Sequence, residues 1–328
     1  MVELSTKYMG MDLRNPLIVA SSGLVSSLEG VEKCAESGAG AVVLKSLFEE
    51  QIEADTKELM EHIWLNGHTE AFDYVRGMGM SLGPSDYLKL IEDVKKKVTI
   101  PVIASLNCVS AKWWVDYAKQ IENTGADALE LNISVMPSDP NRVSEEIEKQ
   151  YYDIVEGVRR HINIPIAVKI GPFFTSIARM ARELYRRGVS ALVLFNRFYQ
   201  LDIDVDSIKL VGGNPLSSPK EMNLPLRWIA LLSGRIECDF AASTGVHNGI
   251  DAIKMILAGA KAVQICSALY QNGVEQIGQV LQEMKDWMKG HNFESLSDFR
   301  GILSQGESDK SELYERLQYI KALSGKKD

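Results

Sequence analysis

The chain has 328 residues, 45% of them hydrophobic, with 44 acidic against 36 basic residues and a formal net charge of −8. Lysines and arginines form no sustained run, so a nucleic-acid-binding surface is excluded, while the apolar fraction is ample for a large core. The opening residues, Met1-Val-Glu-Leu-Ser-Thr-Lys7, carry neither a signal-peptide core nor a membrane span, and a cytoplasmic protein without membrane contact is expected.

In chain order, the first apolar run is Pro16 to Ser21. The second follows a polar, helix-like stretch and opens on a glycine, Gly38-Ala-Gly-Ala-Val-Val-Leu44. Three further copies of this device occur: Gly125-Ala-Asp-Ala-Leu-Glu-Leu131, Gly188-Val-Ser-Ala-Leu-Val-Leu194 and Gly259-Ala-Lys-Ala-Val-Gln-Ile265. Glycine suits the left-handed residue just past a helix end, and the run behind it reads as a strand buried on both faces. Between the copies lie Pro101 to Asn107, Pro165 to Gly171 and Asp239 to Thr244. The alternation predicts eight strands with intervening helices, a (β/α)8 TIM barrel, which places its chemistry at the C-terminal strand ends.

Long segments interrupt the pattern after strands 2 and 6. The first contains the acidic stretch Glu49 to Glu61 and the turn Arg76-Gly-Met-Gly-Met-Ser-Leu-Gly83; the second contains Gly212-Gly-Asn-Pro-Leu-Ser-Ser-Pro219. Both are expected to wall a pocket. Beyond strand 8 an amphipathic helix runs through Val280, Leu281, Met284, Trp287 and Met288. The reading is of one domain over 1–328, with a barrel core over about 15–290 and a helical tail over 291–328. Four cysteines (Cys34, Cys108, Cys238, Cys266) include no C-x-x-C pair, so reduced thiols are expected, and any iron–sulfur relay must come from another chain.

Side chains alternate along a strand, and one set faces the barrel lumen. In strand 4, Leu129, Leu131 and Ile133 suit the helix side, leaving Glu130, Asn132 and Ser134 inward; in strand 5 the same argument turns Lys169 inward. Lys45-Ser46 end strand 2, Ser105-Leu-Asn107 strand 3, and Asn196-Arg197 strand 6. A single buried lysine has a structural explanation in an ion pair with Glu130. Two lysines among amides and hydroxyls on different strand ends read instead as a pocket for a polar, planar, electron-rich ligand. Ser243-Thr-Gly245 and Cys266-Ser267, after strands 7 and 8, fall where such barrels bind phosphate through backbone N–H groups. The combination points to a phosphorylated cofactor such as FMN, where a lysine beside the ring would stabilise the charge that develops on reduction.

These residues resemble the class 1 dihydroorotate dehydrogenases and the flavin barrel of dihydropyrimidine dehydrogenase. The similarity runs in order through Asn15-Pro-Leu-Ile-Val-Ala-Ser21, Leu44-Lys-Ser46, Leu129-Glu-Leu-Asn-Ile-Ser134, Val168-Lys169 with Pro172, Gly259-Ala with Gln264-Ile, and Ser297-Asp-Phe with Gly301. It implies FMN held by Ala20, Ser21, Lys45, Ser46, Asn132, Lys169, Thr244, Gly245, Cys266 and Ser267. It also implies a homodimer, hydride transfer from a CH–CH bond of a small cyclic amide or acid and a place in pyrimidine biosynthesis, while the lack of a membrane segment in the sequence leads to the expectation of a soluble electron acceptor rather than a quinone.

Several positions depart from the family pattern. Thr244 and Cys266 stand where the family has glycine. The base position after strand 4, cysteine or serine in the family, is Val135, and Pro137 replaces a substrate-binding asparagine. Valine cannot take a proton. The family's N-S-M-G turn is Arg76-Gly-Met-Gly79, and its Asn-Ser/Thr pair after strand 6 is Asn196-Arg197. Substrate binding is therefore assigned to Arg76, Asn132, Asn196 and Arg197, a set suited to an anion other than, or held differently from, dihydroorotate. Lys45 is the catalytic cation, and Cys108 is the first alternative base, ahead of Ser134 and His68. The competing readings are a flavoenzyme for another small anion, a non-catalytic flavin-binding barrel, and a lysine Schiff-base enzyme without flavin.

Overall fold

The computed structural model describes residues 2–49, 83–108, 114–197, 200–307 and Tyr314, with Cys108 and residues 114–116 described by backbone only. Eight strands form the barrel: β1 (Leu17–Val19), β2 (Ala41–Val43), β3 (Val102–Cys108), β4 (Ala128–Ile133), β5 (Ile166–Ile170), β6 (Ala191–Leu194), β7 (Asp239–Ser243) and β8 (Ala262–Ile265). Each pairs in parallel with the next, and β8 pairs with β1 through Gln264 opposite Ile18, which closes the ring. The expected (β/α)8 barrel is what forms.

The four glycines that announced strands all take positive φ: Gly38 at 109°, Gly125 at 87°, Gly188 at 86° and Gly259 at 114°. Each sits just past a helix end, where a Cβ would crowd the following carbonyl. The helices show their buried stripe in sequence. In α1 (Leu28–Glu36) Val31 and Cys34 are buried, and in α4 (Ser144–Arg159) Tyr151, Ile154, Val155 and Val158 are. The other helices flanking the barrel are α2 (Pro84–Lys97), α3 (Trp114–Asn123), α5 (Ile177–Arg186), α6 (Asn223–Leu232) and α7 (Gly249–Leu257). A short α8 (Ser267–Asn272) follows β8, and α9 (Gln276–Gly290) packs on α7 through Val280 and Met284.

Two hydrophobic layers result from the period-2 alternation. Leu129, Leu131, Ile133, Ile166, Val168 and Ile170 join the helices in the outer layer. The lumen layer is built largely from alanine, with Ala41, Ala128, Ala167, Ala191, Ala241 and Ala262, which suits the narrow axis. Its floor is closed by the antiparallel hairpin Thr6–Tyr8/Met11–Leu13, which contributes Tyr8, Met9 and Leu13. Asp239 at the start of β7 anchors this plug by accepting the Met9 N–H at 2.7 Å.

After β6 the expected long insertion is an exposed antiparallel hairpin, Leu201–Asp204 with Lys209–Gly212, followed by the turn Pro219–Met222 and α6. The insertion after β2 falls on residues 50–82, outside the described residues, and Arg76 and His68 lie with it.

Candidate functional site

Above the alanine layer, the inward positions become polar. One step up each strand from Ala128, Ala167, Ala241 and Ala262 stand Glu130, Lys169, Ser243 and Gln264, all buried. The pairing registers set Asn132 opposite Lys169 and Ser243 opposite Gln264. The inward column read from β4 and β5 is therefore present, and β3, β7 and β8 add Ser105, Ser243 and Gln264 to it, while β6 sets the apolar Val193 beside Lys169.

Lys169 is 8% exposed. Its Nζ donates to Gln264 Oε1 at 2.9 Å, while Gln264 Nε2 donates to Glu130 Oε2. In place of a direct Lys169–Glu130 ion pair, the structural alternative for a single buried lysine, Gln264 lies between the two charges. Burial pushes the Glu130 carboxyl upward, opposed by the Lys169 charge and the Gln264 hydrogen bond. Among the described residues Gln264 is the lysine's one hydrogen-bond partner, which leaves the ammonium with protons to spare.

Beside it, Asn196 Nδ2 donates to Asn132 Oδ1 at 2.9 Å, joining two of the predicted substrate residues across the top of β4 and β6. On the other side three hydroxyls form a chain: Ser21 and Ser46 at 3.0 Å, Ser46 and Ser105 at 2.8 Å. The Ser46 N–H also donates to Ser21 Oγ at 2.8 Å. Tyr87 from α2 holds Ser105 by accepting its N–H at 2.7 Å and donating to its carbonyl at 3.1 Å. Ala20 is buried next to this chain, its N–H donating to Ile265 O at 2.9 Å. Lys45 is half-buried, and its ammonium has no partner among the described residues.

The ends of β7 and β8 form a second cluster. Thr244 and Gly245 both have positive φ, 81° and 80°. A Cβ on Gly245 would lie 2.3 Å from Met222 N, so the turn needs glycine there for space as well as conformation. Ser217 closes over it: its hydroxyl donates to Ser267 Oγ at 3.0 Å and accepts the Gly245 N–H at 3.3 Å, with His247 Nε2 also 3.3 Å away. The Ser217 N–H donates to Ser267 Oγ at 2.9 Å. Thr244 Oγ1 turns aside and donates to Phe195 O at 3.2 Å. Cys266 is half-buried, and burial raises its thiol pKa. The Gly245 N–H and both Ser217 donors are taken up inside this cluster, which ties the ends of β7 and β8 to the segment after β6.

Arg197 is placed otherwise than a free substrate clamp. Its Nε donates to Glu221 Oε2 at 2.7 Å, and its Nη1 to the carbonyls of Asn214 and Pro215 at 2.9 and 3.2 Å. Those donors fasten the segment after β6 to the end of that strand. Val135 is 9% exposed, and its N–H reaches Tyr151 Oη at 3.5 Å, so no proton acceptor occupies that position. The Cys108 side chain lies outside the described residues, although its backbone ends β3 opposite Ile133.

Sequence reasoning missed Gln264, Ser217 and His247 as site residues. Gln264 carried a signal, since it shares the inward parity of Ala262. Ser217 and His247 carried none, because a loop closure brings them together.

The sequence matches a model of the dihydroorotate dehydrogenase family over residues 3–288. It is 27% identical over 315 residues to "Dihydroorotate dehydrogenase B (NAD(+)), catalytic subunit" of Thermoplasma acidophilum, covering 92% of this chain and 99% of that one. The protein of the same description from Methanocaldococcus jannaschii is 25% identical over 307 residues, covering 91% and 97%. "Dihydropyrimidine dehydrogenase (NADP(+)), chloroplastic" of Arabidopsis thaliana is 24% identical over 345 residues, covering 96% and 80%.

Proposed function

The chain belongs to the dihydroorotate dehydrogenase family, and from that premise we propose that it is an FMN-dependent oxidoreductase acting on a CH–CH bond of a small cyclic amide or acid. The observation that carries the reading is Lys169: a buried ammonium whose one hydrogen-bond partner among the described residues is a neutral amide, at the strand ends that also carry Asn132, Asn196 and the serine hydroxyls. Burying such a charge without further partners is costly, so the site is built for an electron-rich ligand. The donor set fits FMN. Lys169 and Asn132 suit the electron-rich edge of the ring, Ser21, Ser46 and Lys45 another part of it, and Gly245, Ser267, Ser217 and His247 its phosphate.

FMN, when bound, supplies the two-electron acceptor for the reaction. The protein's contribution is orientation and charge. Lys169 offers a fixed positive charge where negative charge develops on reduction. Asn132 and Asn196 brace each other, so their free amide atoms are preset for a planar substrate. A soluble electron acceptor, a homodimer and a cytoplasmic location belong to the same reading. So do Arg76 as a substrate contact and Cys108 as the base.

Val135 favours a second reading, a flavin-binding barrel that does not turn over dihydroorotate but serves another small anion or none. An anaerobic visible spectrum of the purified protein, followed as dihydroorotate is added, separates the two. Bleaching of a flavin band at a catalytically useful rate supports the first reading. A flavin band that stays unchanged retires dihydroorotate as substrate. A protein that takes up no FMN on reconstitution overturns both.

A further inference from the structure

The polar layer of the lumen contains a carboxyl that the proposed reaction leaves unused. Glu130 is 1% exposed, in the middle of β4, one inward position below Asn132. Its Oε2 accepts from Gln264 Nε2, Gln264 Oε1 accepts from Lys169 Nζ at 2.9 Å, and Glu130 Oε1 has no hydrogen-bond partner among the described residues. A side-chain amide has one donor end and one acceptor end. An ammonium only donates and a carboxylate only accepts, so the two charges together allow a single orientation of Gln264. The reversed amide would set its NH₂ against the ammonium and its carbonyl against the carboxylate. Lys169 therefore receives its one fixed acceptor because Glu130 stands at the far end of the same amide.

The charges bear on each other as well. A buried ammonium touching only a neutral group needs a counter-charge, and Glu130 provides it one side chain away. Below, the phenol of the plug residue Tyr8 is 1% exposed and is pushed well above its ordinary range by burial and then by Glu130. In such surroundings a unit charge acts over several ångströms with little screening.

We propose that Glu130 is a positioning residue that acts through Gln264, locking the Lys169 ammonium in place and offsetting part of the positive charge it presents to the flavin. This rests on the FMN reading. It assigns the carboxyl a role in setting how readily the bound flavin accepts electrons.

The test compares E130Q and Q264E in the FMN-loaded protein. E130Q removes the negative charge at nearly constant shape. It should shift the two-electron reduction equilibrium about tenfold towards the reduced flavin, or about 30 mV, and tighten sulfite addition to the flavin by a similar factor. Q264E brings a negative charge against the ammonium and should move both readouts about tenfold the other way. Opposite signs are the signature, because a merely structural role would weaken flavin binding in both variants together. Shifts of the same sign, or no shift in E130Q, overturn the proposal. A flavin-independent readout covers variants that fail to fold. In the wild-type, flavin-free protein the Gln264 side-chain NH₂ should give a downfield, exchange-protected NMR signal, and an unprotected signal overturns the lock. Should the wild type bind no FMN, the functional reading falls, while the NMR result still decides the hydrogen-bonded relay.

Discussion

At the scale of single residues, the chemistry turns on a buried cation and on a base position that holds valine. Lys169 is held ready, yet Val135 offers nothing to receive a proton from a substrate, being 9% exposed and close to Tyr151. A general base contributes about 10²- to 10⁴-fold to such a step. V135C changes side-chain volume little and puts a thiol at that position. It should speed anaerobic flavin reduction by dihydroorotate by at least about tenfold. A rate equal to that of the wild type would mean that proton removal at this position is not what limits the reaction. The lysine itself was legible, because Ile166, Val168 and Ile170 claim the helix-facing side and leave Lys169 only the lumen. Its partner was not. Glu130 was the evident carboxylate, but the structure inserts Gln264 between them.

At the scale of elements, the loops after β6 and β7 decide the shape of the pocket. Arg197 had the look of an anion clamp at a substrate position. It instead spends its Nε and Nη1 donors on Glu221 and on two carbonyls of the segment it covers. Glu221 responds as a paired carboxylate should, lowered by the Arg197 and Ser218 hydrogen bonds despite the burial that opposes them. R197A should therefore loosen residues 213–222, with a local stability loss of about 1–3 kcal/mol seen as faster amide hydrogen exchange there, while flavin content stays near that of the wild type. If exchange is unchanged and only small-anion affinity falls, the guanidinium is a substrate group after all. Nothing local in the sequence announced this contact. Arg197 and Glu221 are 24 residues apart, and a hairpin separates them.

At the scale of the whole molecule, the barrel hides several groups that titrate only at alkaline pH. Burial pushes the Cys34 thiol to about 11 and the Cys238 thiol to about 12, and it raises Tyr8 and Tyr87 as well. In each case the folded state holds its proton more tightly than the unfolded chain. The stability from these groups is complete below the unfolded thiol value of about 8.5 and is lost as pH rises towards the folded values. Each thiol should add a slope of about 1.4 kcal/mol per pH unit over that window. Urea unfolding from about pH 8.5 to about pH 10 should show it, with a shallower fall in the C34A/C238A double variant. An equal slope in the variant would locate the alkaline sensitivity elsewhere. The sequence by itself determined the eight-strand alternation and, on β4 and β5, the inward or outward sense of the strand residues. Both are written in local signals: a glycine at a helix end, and a side-chain period of two. The tertiary structure alone decided which inward groups meet. Gln264 lies 95 residues from Lys169 and 134 from Glu130, and Ser217 reaches Ser267 across 50. Such partners are set by strand register around a closed ring and by the way one loop folds over another, and neither leaves a local trace in the chain.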